Sequence, residues 1–172
     1  MNKYVFRPYD PKFPEYFSRH EKVLRKLFGE AVKIEHMGST SVPGLGGKGF
    51  IDIAIGVPSQ ADLDNAATIM LAAGYNFEPA AGTSTRFYYD CEFIDDHGEV
   101  SMYHFHLTYI ESEDWIKIVV FRDFLRNNEW ARKEYAAIKD FAAKESNQER
   151  VKYVKIKNPV IEKILKLALE GL

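Results

Sequence analysis

The sequence predicts an α+β fold: a mixed β-sheet with helices on one face and a helical C-terminal third. Two observations carry this. Period-two alternation dominates the first two-thirds of the chain and three-to-four-residue periodicity the last third. Three of the strands also divide into an apolar face and an ionisable face, as strands of one half-covered sheet do. With 172 residues, 46% hydrophobic and 14% aromatic, the chain reads as a single domain over 1–172 with one core.

Asp10 to Phe28 reads as a helix, because Phe13, Phe17, His20, Leu24 and Phe28 recur at helical spacing, Pro14 sits near the start and Gly29 supplies a stop. Ala31 to Glu35 is a short strand leading into a small-residue loop, and Phe50 to Val57 is the strand that follows it. Pro58 and Ser59 end that strand, and Ser59 caps a helix from Ala61 to Ala73, closed by Gly74. Tyr75 to Glu78, Thr85 to Phe93 and Val100 to Tyr109 are further strands, with turns at Pro79–Gly82 and Asp95–Gly98. Glu113 to Arg126 and Glu129 to Lys144 are helices separated at Asn127-Asn128. Pro159 opens a last helix to Leu169.

Alternation sorts the side chains. Ile51, Ile53, Ile55 and Val57 point one way and Asp52, Ala54 and Gly56 the other. Tyr103, Phe105 and Leu107 oppose His104 and His106, and Phe87, Tyr89 and Cys91 oppose Arg86, Tyr88 and Asp90. In one sheet the polar faces coincide, gathering Asp52, Arg86, Asp90, His104 and His106 on an open surface.

The loop from Gly38 to Gly49 is the most informative stretch. Its glycines allow close backbone approach, and its amides, the hydroxyls of Ser39 and Thr40, and Lys48 can all face an anion. Asp52 follows as a ligand for a hard cation such as magnesium. Arg122 and Arg126, four apart on one helix, and Lys139 on the next supply further cations, so Arg122, Arg126 and Lys48 are expected as a phosphate clamp. A plain Gly/Pro connector has the same composition.

Other motifs fail. A P-loop would need Gly where Val42 stands and Ser or Thr where Gly49 stands. Gly38-Ser39-Thr40 is not a nucleophile elbow. His104 and His106 form two-thirds of a zinc site, with His36, Asp52 or Asp90 as the third ligand. A weaker reading is therefore a hydrolase built around a transition metal. Net charge of −2 disfavours broad nucleic-acid binding. One cysteine, no signal-like N-terminus and no long apolar run point to a reducing cytoplasm and no membrane span.

Together these residues resemble the GrpB-like family of the nucleotidyltransferase superfamily, whose relatives include domains fused to dephospho-CoA kinase. The resemblance is carried by His36 through Leu45, Lys48, Ile51-Asp52-Ile53, His104 through Leu107, Phe121 through Arg126, Tyr135 and Lys139. It implies a nucleotidyltransferase-like mixed sheet in which Gly38 and Ser39 approach the phosphates of a nucleotide. It also implies carboxylates that hold magnesium, of which Asp52 is the first; Ala54 stands where the second belongs. Asp90 or Glu92 is then expected as the third carboxylate, with His104 in the metal set and His106 as acceptor-side base or metal ligand. The expected ligand is a nucleotide or phosphorylated small molecule with magnesium. The alternative is a non-catalytic anion-binding or interaction module that has lost the second carboxylate.

Overall fold

The computed structural model describes residues 5–94 and 100–171; the turn expected at Asp95–Gly98 lies outside them. Five strands are formed by Lys33–Met37 (β1), Ile51–Val57 (β2), Asn76–Phe77 (β3), Arg86–Ile94 (β4) and Val100–Tyr109 (β5). They lie in one sheet in the order β1-β2-β5-β4-β3. Only β2 and β5 run parallel; the other pairs are antiparallel. A parallel pair needs a long crossover, and α2 (Leu63–Ala72), β3 and β4 supply it.

Helices α1 (Phe13–Phe28) and α2 cover the apolar face. There Leu24 and Met70 pack with Ile51, Ile53, Ile55, Phe105 and Leu107, all fully buried. Helix α1 begins three residues later than the periodicity predicts, since the Asp10 carboxylate accepts the Lys12 amide and holds a turn first. Strand β1 is shifted two residues toward the loop, because its register pairs His36 with Ile53 and Met37 with Asp52.

The C-terminal third forms α3 (Glu113–Asn127), α4 (Glu129–Glu145) and α5 (Arg150–Glu170). The expectation of helices on one face holds for α1 and α2, but α3 lies on the polar face at its β1–β2 end. Trp115 packs there with Met37 and Ala54, and a Cβ on Gly56 would come within 2.6 Å of its ring. Gly56 is what lets α3 come down onto the sheet, so the polar face is the floor of a cleft.

The last helix also differs. It begins at Arg150, nine residues before Pro159, which sits inside it. Proline removes one N–H and crowds the carbonyl four residues back. Both Pro159 and Lys155 are exposed, so the helix carries the ring on its solvent-facing side.

The loop after β1 is fastened to this helical layer. Val42 and Leu45, 0% and 1% exposed, enter a cluster with Leu125 of α3, Ala131 and Tyr135 of α4 and Ile164 of α5. Burying two aliphatic side chains stabilises the arrangement by about 3–6 kcal/mol. The same burial holds the loop between sheet and helices.

Candidate functional site

Strand pairing sets the floor of the cleft in rows. Asp52, His104 and Asp90 form one row across β2, β5 and β4; Ala54, His106 and Tyr88 form the next; Gly56, Thr108 and Arg86 the third. The expected gathering on one face is thereby realised. Asp52 Oδ1 lies 3.2 Å from His104 Nδ1 and 3.7 Å from His106 Nε2. Burial alone would raise the Asp52 carboxyl, but the two imidazoles outweigh it and hold it well below the usual carboxylate range. Burial lowers His106, against the opposing pull of Asp52. Its Nδ1 is buried with no hydrogen-bond partner among the described residues. Phe50 stands edge-on to His104 at 4.9 Å, and Tyr88 contacts both imidazoles at 5.3 and 5.2 Å.

The loop closes one side. Gly38 has φ +64, and a Cβ there would collide with Asp52 Oδ2. Both the left-handed conformation and the close approach therefore demand glycine. Ser39 stands beside Gly47, where a Cβ would strike Ser39 Oγ and lie 3.2 Å from Lys139 Nζ. Thr40 turns away from the cleft: its hydroxyl donates to the Phe50 carbonyl at 3.2 Å and lies 3.0 Å from His36 Nε2. It is a loop fastening, not the phosphate contact expected of it.

Cations reach the cleft from the helices. Lys139, 4% exposed, donates to the Gly46 carbonyl and lies 4.6 Å from the Tyr135 ring centroid. Lys157 stands 5.0 Å from the Tyr153 ring centroid, and Lys48 lies 5.6 Å from that ring and 4.6 Å from Phe50. Burial first, and then the charges of Lys157 and Lys48, push Lys139 down to about 7, with Asp52 pulling the other way. Burial, Lys48 and Arg150 likewise push Lys157 down to about 8 against Asp52. Lys139 and Lys157 thus both feel the field of Asp52 and the opposing charge of Lys48.

Neither Arg122 nor Arg126 joins them, which corrects the expected clamp. Arg122, 8% exposed, donates to Glu35 at 2.6 Å, Asp123 at 2.7 Å and the His36 carbonyl at 3.2 Å. Arg126 donates twice to the Ser41 carbonyl, at 3.1 and 2.9 Å. Both residues tie α3 to β1 and its loop. Arg126 also lines, with Tyr9, Phe17 and His36, a cavity of about 600 Å³. Arg86 sits two rows from Asp52, donating to the Ala81 carbonyl at 3.3 Å and 3.9 Å from Asp114.

The expected metal set does not assemble. Asp90 accepts from Asn76 at 3.2 Å and is separated from Asp52 by the whole of β5, roughly 10 Å between Cα atoms at normal strand spacing. Among the described residues no group of three His, Cys, Asp or Glu side chains is arranged to hold a metal ion. Magnesium demands oxygen ligands in near-octahedral array. Here Asp52 Oδ1 faces two imidazoles, Oδ2 abuts Gly38, and Ala54 offers no oxygen. These residues do not fit a magnesium site.

The residues that sequence reading missed are Lys157 and Tyr153. A helical i, i+4 pair of Tyr and Lys was visible, but reading Pro159 as a helix start left it outside any element.

The GrpB protein family model matches residues 4–167. The UPF0157 protein BH1888 of Halalkalibacterium halodurans is 30% identical over 93% of this chain and 80% of its own length. A dephospho-CoA kinase of Mycolicibacterium paratuberculosis is 27% identical over 88% of this chain but only 42% of its own. The crystal structure of conserved protein GrpB from Enterococcus faecalis superposes with a TM-score of 0.79 at 28% identity, covering 97% of this chain and 98% of that one. A structure of the Cid1 poly(U) polymerase with MgGTP bound superposes at 0.50 and 11% identity, over 79% of this chain and 42% of that one; this likeness is one of fold alone. The fold is nucleotidyltransferase-like, and the chain belongs to the GrpB protein family.

Proposed function

We propose that the cleft above Asp52 binds a nucleotide or a phosphorylated small molecule. The observation that carries this reading is the grouping of Lys48 and Lys157 about the Tyr153 ring, with Lys139 beside Ser39 across Gly47 and Asp52 as counter-charge to Lys139 and Lys157. Like charges held together in a half-buried site raise the free energy of the empty protein, and an anion relieves them. The Gly38–Gly49 loop adds backbone amides and the Ser39 hydroxyl, which has no hydrogen-bond partner among the described residues and suits an anionic oxygen. Nucleotidyl transfer to an acceptor is supported by the likeness of fold. His104 and His106, oriented by Asp52, are then the proton-handling groups.

A second reading is favoured by Ala54. A transferase fold without its second carboxylate serves as a binding module, holding a phosphorylated ligand without turning it over. Calorimetric titration of ATP and AMP into the wild type and into a Lys139→Met, Lys157→Met double variant tests the common premise. Binding that weakens by about tenfold or more in the double variant, a loss of about 1.4 kcal/mol, supports it. Absence of binding, or equal binding by both proteins, sinks it. Release of pyrophosphate in the ATP samples on addition of an acceptor would identify a transferase.

A further inference from the structure

The cavity of about 600 Å³ lies outside the cleft, on the far side of the loop. Strand alternation puts it there. The His36 side chain shares the core-facing side of β1 with Ile34, whereas Met37 turns to Ala54 and Trp115 on the polar face. The loop therefore stands between two spaces: Ser39 borders the cleft, and Ser41, Val42 and Pro43 border the cavity. A volume of this size is that of a small-molecule site.

Its walls are flat and its cations fixed. Tyr9, Phe17 and His36 supply rings, with Pro14 and Pro43 beside them. Phe17 and His36 are stacked, 2° from parallel at 4.7 Å between centroids. Burial, against the pull of Asp52 and with Arg126 and Arg122 reinforcing, pushes His36 down to about 4, so its ring is uncharged at neutral pH. The cations are Arg126 and Arg132, both held by backbone oxygens. Arg126 gives Nε and Nη2 to the Ser41 carbonyl, and its Nη1 lies 3.7 Å from Asp123. Arg132 spends Nη1 on the Leu125 and Arg126 carbonyls, at 2.9 and 2.7 Å. Its Nε–Nη2 edge has no partner among the described residues. The acids nearby are engaged: Asp123 with Arg122 at 2.7 Å, Glu129 with Lys133 at 2.7 Å, and Asp10 with the Lys12 amide.

We propose that this cavity binds a planar aromatic carboxylate, its ring against Tyr9, Phe17 and His36 and its carboxylate on the open edge of Arg132, with Arg126 alongside. An arginine edge presents two parallel N–H groups, which match the two coplanar oxygens of a carboxylate. Arg132 is already pinned through Nη1, so little side-chain freedom is left to lose on binding. This site stands apart from the phosphate reading of the cleft, and the two are tested separately.

The test titrates indoleacetate into the isotope-labelled intact chain and follows the backbone amide resonances. Indoleacetamide is the uncharged control and acetate the ringless one. A ligand of this size with ordinary efficiency has a Kd of about 1 mM. The expected shifts centre on Phe17, His36, Ser41 and Val42, and both controls bind about tenfold more weakly or worse. Arg132→Met should weaken indoleacetate by a similar factor, and the cleft variant Lys139→Met, Lys157→Met should bind it as the wild type does. Shifts centred on Asp52, His104 and His106, or weakening in the cleft variant, place the ligand in the cleft and overturn the assignment. Equal binding of indoleacetamide, wild-type affinity in a folded Arg132→Met, or no shift at about 10 mM overturns it too. Arg132 also caps the end of α3; if Arg132→Met fails to fold, the wild-type shift map and the two control ligands still decide.

Discussion

The backbone of Gly38 packs directly on the carboxylate of Asp52, leaving no room for a Cβ between them. One residue opens the loop and the other sits at the centre of the cleft. Their contact sets where the loop amides stand relative to the Asp52–His104–His106 cluster. Gly38→Ala has to absorb both a left-handed φ of +64 and a collision with Oδ2. The expected cost is about 2–4 kcal/mol of unfolding free energy, read from urea denaturation, together with weakened AMP binding. A variant as stable as the wild type would show that the loop shifts freely and that the contact is incidental.

Arg122 is expected to be structural. Arg122→Met leaves Glu35 and the His36 carbonyl without their donor, and hydrogen bonds to charged groups contribute about 1.5–3 kcal/mol each when buried. Glu35 is partly exposed and recovers some solvation, so a net loss of about 2 kcal/mol is expected. Binding of AMP by the folded fraction should change much less than in Lys139→Met. The reverse order, stability kept and binding lost, would return Arg122 to the phosphate clamp.

Acid should destabilise the fold before its carboxylates titrate. His20 and His36 are 5% and 8% exposed, and burial pushes each down to about 4, with Asp52 opposing and Arg126 and Arg122 reinforcing at His36. Between pH 6.5 and pH 4 the unfolded chain binds protons that the native rings refuse, so stability rises with pH across that window and falls as pH drops through it. The loss reaches on the order of 3 kcal/mol for each ring. Urea unfolding at several pH values checks this. His20→Gln, which keeps a partner for the Tyr75 hydroxyl, should have a shallower acid limb. An unfolding free energy flat from pH 7 to pH 4.5 would contradict it.

Anion binding should take up protons. Lys139 and Lys157 sit near 7 and 8 in the empty cleft, lowered by burial and by neighbouring ammonium groups. A bound phosphate favours their charged forms, so affinity for AMP should fall as pH rises through 7 and 8. Calorimetry in buffers of different ionisation heat reads the proton count directly. Uptake is expected near pH 7.5 and should shrink in Lys139→Met; proton release on binding would reverse the assignment.

Much of this was open to reading in the chain itself. Val100–Tyr109 forms one strand as its alternation predicts, and Asp52, His104 and His106 share a polar face because a period of two is a local property of extended backbone. The small-residue run from Gly38 to Gly49 announces a loop that tolerates close approach, for reasons intrinsic to glycine. Membership of the GrpB family follows from the same residues in their order, and no described helix is long and apolar enough to cross a membrane.

Three-dimensional packing settled the rest. That both imidazoles bracket a single oxygen of Asp52 depends on the parallel register of β2 and β5, about fifty residues apart, and no local pattern encodes a register between distant strands. Arg122 had the look of a solvent-facing phosphate ligand until Glu35, 87 positions away, came within 2.6 Å of it. Lys157 entered the cleft through a helix that runs on past Pro159 because tertiary packing outweighs the local penalty of proline. Alternation and glycine content are short-range consequences of backbone geometry, whereas the partner of each charge is chosen by which distant surfaces are buried against one another.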